Sequence, residues 1–351
     1  MIDRRQIVEL WTRGDAVALA TLIRVEGSSY RMEGARLLVA QDGSYAGSVS
    51  GGCLEAEIVR KAQWLTRAGA TVERYSTLFD NTAEIPYGLG CGGTVDVLIE
   101  PANTPEFQAL MAAFAMSLEG HAREVTTRLP GRGTALARIV RVPDGEVVFS
   151  SDWLAEDQEQ CITELLAPPQ KLFIFGAGED AKPMARLGAL LGWSIYVQDG
   201  HPQWARPERF PEAETVISSP QLADLRPGPQ DAVVMMTHSY EADREWLKQI
   251  LPYEPRYLGL LGSRHRSALL VSEAAGAIGW SINRACEHIF SPVGLNLGGD
   301  GAEAIALSTI AEIQACVQGK LPHSRRLTPD DVAQQIEQGG ASRYLQFQCA
   351  L

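Results

Sequence analysis

The sequence predicts an α/β protein in two parts: an N-terminal mixed α+β domain, followed by a C-terminal Rossmann-like domain with a doubly wound parallel sheet. Three observations lead to this prediction. A strand–turn–helix–strand fingerprint begins at residue 172, strands and helices alternate after it, and short strands with a hairpin signal at Asp42-Gly43 precede it. The clearest linker is Pro168-Pro169. We therefore assign residues 1–167 to the first domain, 171–319 to the second and 320–351 to a tail.

The mid-chain fingerprint predicts a nucleotide site. An apolar strand over residues 173–175 leads into Gly176-Ala177-Gly178 and a helix. Gly176 permits a tight turn, and Gly178 lets a phosphate approach the backbone at the positive end of that helix. Asp199 ends the next strand, where a carboxylate can accept hydrogen bonds from ribose hydroxyls. The alternative is a doubly wound domain without a phosphate site, because the charge of Glu179 in the turn would oppose a pyrophosphate.

Two other segments of the second domain follow predicted strands. These are Thr237-His238 and Gly262-Ser263-Arg264. Open parallel sheets bind ligands at the carboxyl ends of their strands, so His238 and Arg264 are candidate ligand contacts. For His238, the alternative is a histidine that is hydrogen-bonded within the protein at the end of its strand and binds no ligand.

Two glycine-rich turns in the first domain each contain a cysteine. Ser50-Gly51-Gly52-Cys53 precedes an amphipathic helix, and Gly90-Cys91-Gly92-Gly93 repeats the arrangement. A helix N-terminus favours the thiolate of Cys53, and the glycines give a ligand access to the sulfur and to several backbone N–H groups. Cys53 and Cys91 are therefore candidate reactive residues. The alternative is that each is a small buried side chain in a tight turn.

Two arginines follow the Gly27-Ser28-Ser29 turn. Arg31 and Arg36 flank Gly34, and their guanidinium groups are suited to a bidentate grip on a phosphate. The alternative is that both are surface arginines near a hairpin.

Composition excludes several classes of function. The net charge of -12 argues against broad nucleic-acid or anionic-membrane binding. No stretch is long and apolar enough to span a bilayer, and residues 1–11 lack a signal-type apolar core, so we expect a cytoplasmic protein. The six cysteines form no CxxC pair and no disulfide-like pattern. A structural zinc site is therefore not expected, and the sequence assigns no metal ligands.

Taken together, these segments resemble the XdhC/CoxI family, the accessory factors that mature xanthine and carbon monoxide dehydrogenases. The resemblance covers nearly all of the chain up to about residue 319, and the two cysteine turns are its most specific part. The matching segments are Gly27-Ser28-Ser29-Tyr30-Arg31, Gly34-Ala35-Arg36, residues 47–55, residues 88–93, residues 175–178, Asp199, residues 207–210, residues 236–238, residues 257–264 and residues 291–295.

The resemblance implies a maturation factor, not a turnover enzyme. Such a factor binds the molybdenum cofactor (molybdopterin), supports its sulfuration and inserts it into a xanthine-dehydrogenase-type molybdenum hydroxylase. The expected partners are that client, a cysteine desulfurase and a second copy of the chain. Two rival hypotheses remain: an NAD(P)-dependent oxidoreductase, suggested by the Rossmann unit alone, and a nucleotide-sensing regulatory protein.

These patterns give two sets of candidate site residues. The candidates for the molybdenum cofactor are Arg31, Arg36, Ser50, Gly51, Gly52, Cys53, Gly90, Cys91, Gly92 and Gly93, with Cys53 and Cys91 as the reactive pair. The candidates for NAD or another adenine nucleotide are Gly176, Gly178, Asp199, His238 and Arg264.

Overall fold

The computed structural model describes residues 1–52, 54–76, 93–131, 134–151, 161–222 and 225–320. These residues fall into two compact units. The described residues from Ile2 to Pro168 form the N-terminal unit, and those from Pro169 onward form the C-terminal unit. None of the helices in these ranges is long and apolar enough to cross a bilayer.

The described part of the N-terminal unit contains two antiparallel sheets and three helices. The helices are α1 (Ile2–Thr12), α2 (Glu55–Leu65) and α3 (Pro105–Leu118). The strands of the first sheet are β1 (Ala16–Glu26), β2 (Arg36–Ala40), β3 (Tyr45–Gly47), β4 (Thr71–Ser76) and β5 (Thr94–Pro101), in the order β3-β2-β1-β5-β4. Those of the second sheet are β6 (Arg123–Arg128), β7 (Ala137–Arg141), β8 (Val147–Ser150) and β9 (Cys161–Leu166), in the order β8-β7-β6-β9.

The alternation of side chains along β1 explains how the first sheet is covered on both faces. Successive side chains of a strand point to opposite faces of its sheet. Ala18, Ala20 and Leu22 belong to a core shared with α2, whereas Leu19 belongs to a core formed with α1, α3 and the second sheet. Thr21 therefore lies on the same face as Leu19, toward the second sheet.

A buried ion pair joins the two sheets of the N-terminal unit. Arg138 on β7 donates to both oxygens of Glu100 on β5, at 2.9 and 3.0 Å. The guanidinium also donates to the Thr127 hydroxyl and to the backbone carbonyl of Glu106. Arg138 is 2% exposed and Glu100 is 1% exposed, so this fully hydrogen-bonded pair fixes one sheet against the other.

The C-terminal unit contains a six-stranded parallel sheet among its described residues. Its strands are β10 (Lys171–Phe175), β11 (Ser194–Asp199), β12 (Thr215–Ser218), β13 (Ala232–Met235), β14 (Tyr257–Leu260) and β15 (Ile289–Phe290), in the order β12-β11-β10-β13-β14-β15. Its helices are α4 (Ala181–Leu190), α5 (Tyr240–Ile250), α6 (Arg264–Ile278), α7 (Ile282–His288) and α8 (Ala302–Val317).

Both faces of this sheet are covered by helices, which confirms the predicted doubly wound fold. Leu172 and Ile174 pack into the core with α4 and α8, and Phe173 and Phe175 pack into the core with α5, α6 and α7. The strand order places β10, the first strand, between β11 and β13. The direction of winding reverses there, and open α/β sheets bind ligands at the carboxyl ends of the strands beside such a reversal.

Candidate functional site

The glycine-rich turn before α2 is wrapped around the carboxylate of Glu55. The backbone N–H groups that donate to this carboxylate belong to Val49, Ser50, Gly51 and Gly52, at 2.8–3.2 Å. The hydroxyls of Ser48 and Ser50 donate to it as well. Glu55 is 2% exposed and lies in the first turn of α2. The chain thus supplies its own anion to the turn.

These hydrogen bonds keep Glu55 ionised. Burial of the carboxylate opposes its ionisation, but the hydrogen bonds from Ser50, Ser48 and the backbone outweigh burial and lower the pKa of Glu55 to about 2. The N–H groups of residues 49–52 therefore already donate to a carboxylate of the chain, and the role of Ser50, Gly51 and Gly52 in cofactor binding stays a prediction. Phosphate capture by these groups would require Glu55 to leave the turn.

Gly51 and Gly93, each two residues away from a cysteine in the sequence, contact the same loop. A Cβ atom at Gly51 would lie 2.5 Å from the ring of Tyr30, and a Cβ atom at Gly93 would lie 2.2 Å from the carbonyl oxygen of Ser28. At Gly52, by contrast, a Cβ atom would meet no described residue within 4 Å. The residues Cys53, Gly90, Cys91 and Gly92 lie outside the described residues.

Arg31 lies beside the first of these turns. Its Nε donates to the backbone carbonyl of Ser48 at 3.2 Å, and its guanidinium pairs with Asp3. Arg36 has different partners: its guanidinium pairs with Glu164 and lies over the ring of Phe114, 5.0 Å from the centroid. The two guanidinium groups are therefore each paired with a different carboxylate of the chain.

The Rossmann turn also contacts a carboxylate of the chain. Gly176 lies so close to β13 that a Cβ atom would be 2.5 Å from the carbonyl oxygen of Met236. Asp199, at the end of β11, accepts from the N–H of Ala177 at 2.7 Å and from the N–H of His201 at 2.8 Å. The carboxylate predicted to hold a ribose therefore also holds the turn in place. A carboxylate offers about four acceptor positions, so hydrogen bonds to ribose hydroxyls remain available.

Glu179 does not carry an uncompensated charge into this turn. Its carboxylate pairs with Lys182 and with Arg209, each at 2.7 Å. The two hydrogen-bonded pairs and their charges lower the pKa of Glu179, with Lys182 contributing most. The repulsion expected between Glu179 and a pyrophosphate is therefore balanced by two cations.

A cavity of about 470 Å³ opens beside Asp199 at the carboxyl ends of β11 and β13. It is lined by Asp199, Gly200, His201, Trp204, Pro220, Thr237, His238, Ser239, Ala242 and Trp246. His238 meets the Trp204 ring edge-on, with 5.8 Å between centroids. A Cβ atom at Gly178 would lie 3.1 Å from His238 and 3.2 Å from Trp204, so the bare backbone of this glycine faces both rings. The predicted residues Gly178, Asp199 and His238 thus converge.

A buried network lies behind the wall of this cavity. The Thr237 hydroxyl donates to Asp243 at 2.6 Å, and Asp243 pairs with Arg266 at 2.7 Å. Arg264, two residues earlier, is exposed and is not among the residues that line the cavity. The structure therefore does not place Arg264 with the other predicted nucleotide contacts.

Sequence reasoning missed three of these residues as parts of a site. Trp204 and His201 follow β11 in an irregular segment, and nothing in their spacing indicates that the Trp204 ring contacts both His201 and His238. Glu55 carried a usable signal, because an acidic residue in the first turn of a helix is placed to accept from preceding N–H groups. Within the described ranges, no group of three or more His, Cys, Asp or Glu side chains is placed to hold a metal ion.

Comparison with known proteins agrees with this architecture. The family model described as the XdhC and CoxI family matches residues 10–76, and the one described as the XdhC Rossmann domain matches residues 172–313. The chain is 28% identical over 327 residues to a probable xanthine dehydrogenase subunit of Bacillus subtilis, covering 85% of this chain and 92% of that protein. It is 26% identical over 309 residues to the molybdenum cofactor insertion chaperone PaoD of Escherichia coli, covering 88% and 86%.

A solved structure is similar over nearly the whole chain. The crystal structure of a protein described as a xanthine dehydrogenase from Bacillus halodurans superimposes with a TM-score of 0.78 and 29% identity, covering 94% of this chain and 99% of that one. Four observations point to the same family. They are the sequence motifs, the antiparallel sheets of the N-terminal unit, the Rossmann strand order of the C-terminal unit and the matches to both family models. The chain therefore belongs to the XdhC and CoxI family.

Proposed function

We propose that this protein is a molybdenum cofactor insertion chaperone for a xanthine-dehydrogenase-type molybdenum hydroxylase. The relatives support this proposal, because one is named as such a chaperone and another as a subunit of a xanthine dehydrogenase. The structural observation that carries the proposal is the contact of Gly51 and Gly93 with one loop. Gly51 lies two residues before Cys53 and Gly93 lies two residues after Cys91 in the sequence, which favours a single site with two thiols.

The residues of this region suit three properties of the molybdenum cofactor: a metal that binds thiolates, a flat pterin ring and a negatively charged phosphate. Thiolates bind soft metals, and a Cβ atom at Gly52, the residue before Cys53, would meet no described residue within 4 Å. Tyr30, which is 76% exposed and lies against Gly51, offers a ring on which a pterin can stack. A phosphate would be held by Arg31, not by the turn N–H groups, because Glu55 already occupies those. When bound, the cofactor supplies the molybdenum centre, and these residues orient it.

An anaerobic transfer experiment tests this proposal. Molybdenum cofactor released from a donor enzyme is added to the full-length protein, and gel filtration with pterin fluorescence measures co-elution. We expect Cys53→Ser and Cys91→Ser each to lower retained pterin at least about tenfold, whereas Cys286→Ser, at an exposed free cysteine, retains the wild-type amount. Equal retention by all three variants would assign the turns a purely structural role.

The finer parts of this function need separate measurements. We propose that the protein supports sulfuration of the cofactor with a cysteine desulfurase, works in the cytoplasm and forms a homodimer. The domain boundaries 1–167 and 171–319, with a tail over 320–351, also stay predictions. Mass spectrometry of the anaerobically purified protein tests the sulfur step, because a persulfide adds the mass of one sulfur atom to a cysteine peptide.

The C-terminal unit supports a second function, which is binding of NAD or another adenine nucleotide. The observation that favours it is the cavity at the carboxyl ends of β11 and β13, where Gly178, Asp199 and His238 meet. Its aromatic lining suits a nucleoside, and the negative charge of Asp199 should disfavour a 2′-phosphate, so NAD should bind more tightly than NADP.

Calorimetric titration with NAD, NADP, ATP and AMP tests this second function. Asp199→Asn should weaken NAD binding about tenfold, because a charge-assisted hydrogen bond to ribose becomes a neutral one. Arg264→Gln, at an exposed position away from the cavity, is the matched control and should bind like the wild type. If none of the four nucleotides binds below about 1 mM, the Rossmann unit is a scaffold. Oxidation of NADH in a substrate screen would instead support the oxidoreductase hypothesis.

A further inference from the structure

Two aromatic rings separate the cavity beside Asp199 from the Rossmann turn. Trp204 and His238 both line the cavity, whereas Gly178 is not among its lining residues. A Cβ atom at Gly178 would lie 3.1 Å from Nε2 of His238 and 3.2 Å from a ring carbon of Trp204. Both rings therefore lie against the backbone of this glycine and form the wall between it and the cavity.

The backbone of the turn beyond these rings keeps unused hydrogen-bond donors. Among the described residues, no group accepts from the backbone N–H of Gly178, Glu179 or Asp180, although the N–H of Ala177 donates to Asp199. Successive N–H groups without partners at the start of a helix are suited to an anion, and in a Rossmann turn that anion is a phosphate. The turn is thus prepared for a phosphate.

The two rings divide the nucleotide site into two parts. Asp199, which can accept from ribose hydroxyls, lines the cavity, whereas the unused N–H groups lie in the turn. A phosphate approaches the backbone of such a turn at its second glycine, and here Trp204 and His238 fill the space in front of that glycine. A nucleoside can therefore enter the cavity with both rings in place. The phosphate of a nucleotide cannot reach the turn until one ring moves.

Trp204 is the ring that is free to move with its segment. Residues 201–204 are exposed and form a surface turn, in which the N–H of Trp204 donates to the carbonyl of His201 at 3.0 Å. The carbonyl of Trp204 accepts from Arg209 at 3.1 Å, and the same guanidinium pairs with Glu179 of the Rossmann turn. A few hydrogen bonds on the protein surface thus hold the Trp204 ring in place.

His238, by contrast, belongs to a segment that is fixed from both sides. The hydroxyl of Thr237 donates to the buried carboxylate of Asp243 at 2.6 Å. The hydroxyl of Ser239 accepts from the N–H of Ala242 and caps α5. With both neighbours tied to α5, His238 stays beside the turn when Trp204 leaves.

We propose that Trp204 is a gate that admits a phosphate to the Rossmann turn, and that His238 then donates to this phosphate through an N–H at Nε2. With the gate closed, the site accepts an adenine nucleoside. With the gate open, it accepts a nucleotide whose phosphate binds the N–H groups of residues 178–180. The free energy of opening is subtracted from the contribution of the phosphate to binding. This inference rests on the proposed nucleotide binding and adds the residues that select among its ligands.

Calorimetric titration of the full-length protein with adenosine and AMP tests the gate. The quantity compared is the Kd of adenosine divided by the Kd of AMP, because a lost contact with the base affects both ligands and cancels. Trp204→Ala removes the gate, so we expect this ratio to rise at least about fivefold above that of the wild type. The matched control is Tyr253→Ala, which removes a ring of similar exposure before the amino end of β14 and should leave the ratio unchanged.

A second variant tests the phosphate contact. His238→Phe keeps a ring against Gly178 and removes the donor at Nε2. We expect AMP to bind about fivefold more weakly to this variant and the affinity for adenosine to change by less than about twofold. An equal loss for both ligands would assign His238 to the base or the ribose and overturn its proposed role.

The accessibility of Trp204 provides a readout that does not depend on affinity. The fluorescence of Trp204 is the difference between the wild type and Trp204→Phe, and acrylamide quenching measures its exposure to solvent. Saturation with AMP should increase this quenching, because the ring leaves its contact with Gly178, and saturation with adenosine should not. Equal quenching with both ligands would contradict the gate.

The outcomes separate this inference from the proposed function on which it rests. If adenosine and AMP bind, but their ratio is the same in the wild type and in Trp204→Ala, the gate is overturned and nucleotide binding stands. If neither ligand binds below about 1 mM to the wild type or to Trp204→Ala, both proposals fail. Should Trp204→Ala fail to fold, Trp204→Leu, with a smaller apolar side chain, takes its place in the same titration.

Discussion

The glycine-rich turn before α2 and the Rossmann turn after β10 differ in how many of their backbone N–H groups already donate to a carboxylate of the chain. In the turn before α2, four consecutive N–H groups donate to Glu55. In the Rossmann turn, Asp199 accepts from one N–H group, that of Ala177. Both turns look suited to a phosphate in sequence, because glycines expose backbone donors. The difference shows that the backbone N–H groups of a glycine-rich turn can bind a phosphate only where they do not already donate to a carboxylate of the same chain.

The substitution Glu55→Gln should have the largest effect on this comparison. The amide keeps the size of the side chain but replaces one acceptor oxygen with an NH₂ group that faces backbone N–H donors. Leaving such groups buried without partners should lower the free energy of unfolding by about 3 kcal/mol at neutral pH. Urea denaturation measures the change, and Glu9→Gln on an exposed position of α1 is the control, with an effect below about 0.5 kcal/mol. Equal stability of both variants would contradict the proposed role of Glu55.

The contribution of Glu55 should also depend on pH in a defined direction. Its pKa is lowered from 4.5 to about 2 on folding, so ionised Glu55 stabilises the folded state above the unfolded pKa, and this stabilisation is lost as the pH falls toward 2. Linkage gives a contribution of about 3 kcal/mol at pH 7 and about 1 kcal/mol at pH 3. The stability gap between wild type and Glu55→Gln, measured by urea at both pH values, should shrink accordingly. A gap that is constant with pH would mean that the charge of Glu55 is not the stabilising feature.

A pair of glycine substitutions sharpens the comparison of the two turns. Gly176 has φ +119° and Gly52 has φ +122°, so alanine meets nearly the same backbone strain at both positions. At Gly176 the new Cβ would also lie 2.5 Å from the Met236 carbonyl oxygen, whereas at Gly52 it meets no described residue within 4 Å. We expect Gly52→Ala to cost about 1–2 kcal/mol and Gly176→Ala at least about 1 kcal/mol more. Thermal unfolding measures the stability of both variants. Equal losses of stability would show that the backbone at Met236 moves away from the new Cβ at little energetic cost.

The smallest expected effect concerns Glu179. Because Lys182 and Arg209 already compensate its charge, Glu179→Gln should change the affinity for NAD by less than about twofold. Arg209→Gln removes one compensating cation and should weaken NAD binding more than Glu179→Gln does. Calorimetry on both variants separates the cases. A several-fold gain in affinity for Glu179→Gln would show that its carboxylate opposes the nucleotide phosphates.

Local pattern was sufficient for much of the C-terminal unit. The apolar strand before Gly176, the helix after it and the acid at Asp199 lie in the predicted places, because each depends on residues adjacent in the chain. Asp199 was assigned correctly to the end of a strand, but its hydrogen bonds to Ala177 and His201 were not predicted. The first depends on the parallel pairing of β10 with β11, which brings together residues about twenty positions apart.

By itself, the sequence determined the two-part α/β architecture and the Rossmann fingerprint, because periodicity, turn residues and motif spacing are local properties. Only the tertiary structure decided which donors are still available. It placed Glu55 inside its own turn, turned Trp204 toward His238, and buried Arg36 beside Thr21 between two sheets. Residue types show what a side chain can bind, but hydrogen bonds are satisfied by whichever groups the packed chain brings within reach, and that depends on contacts between distant segments.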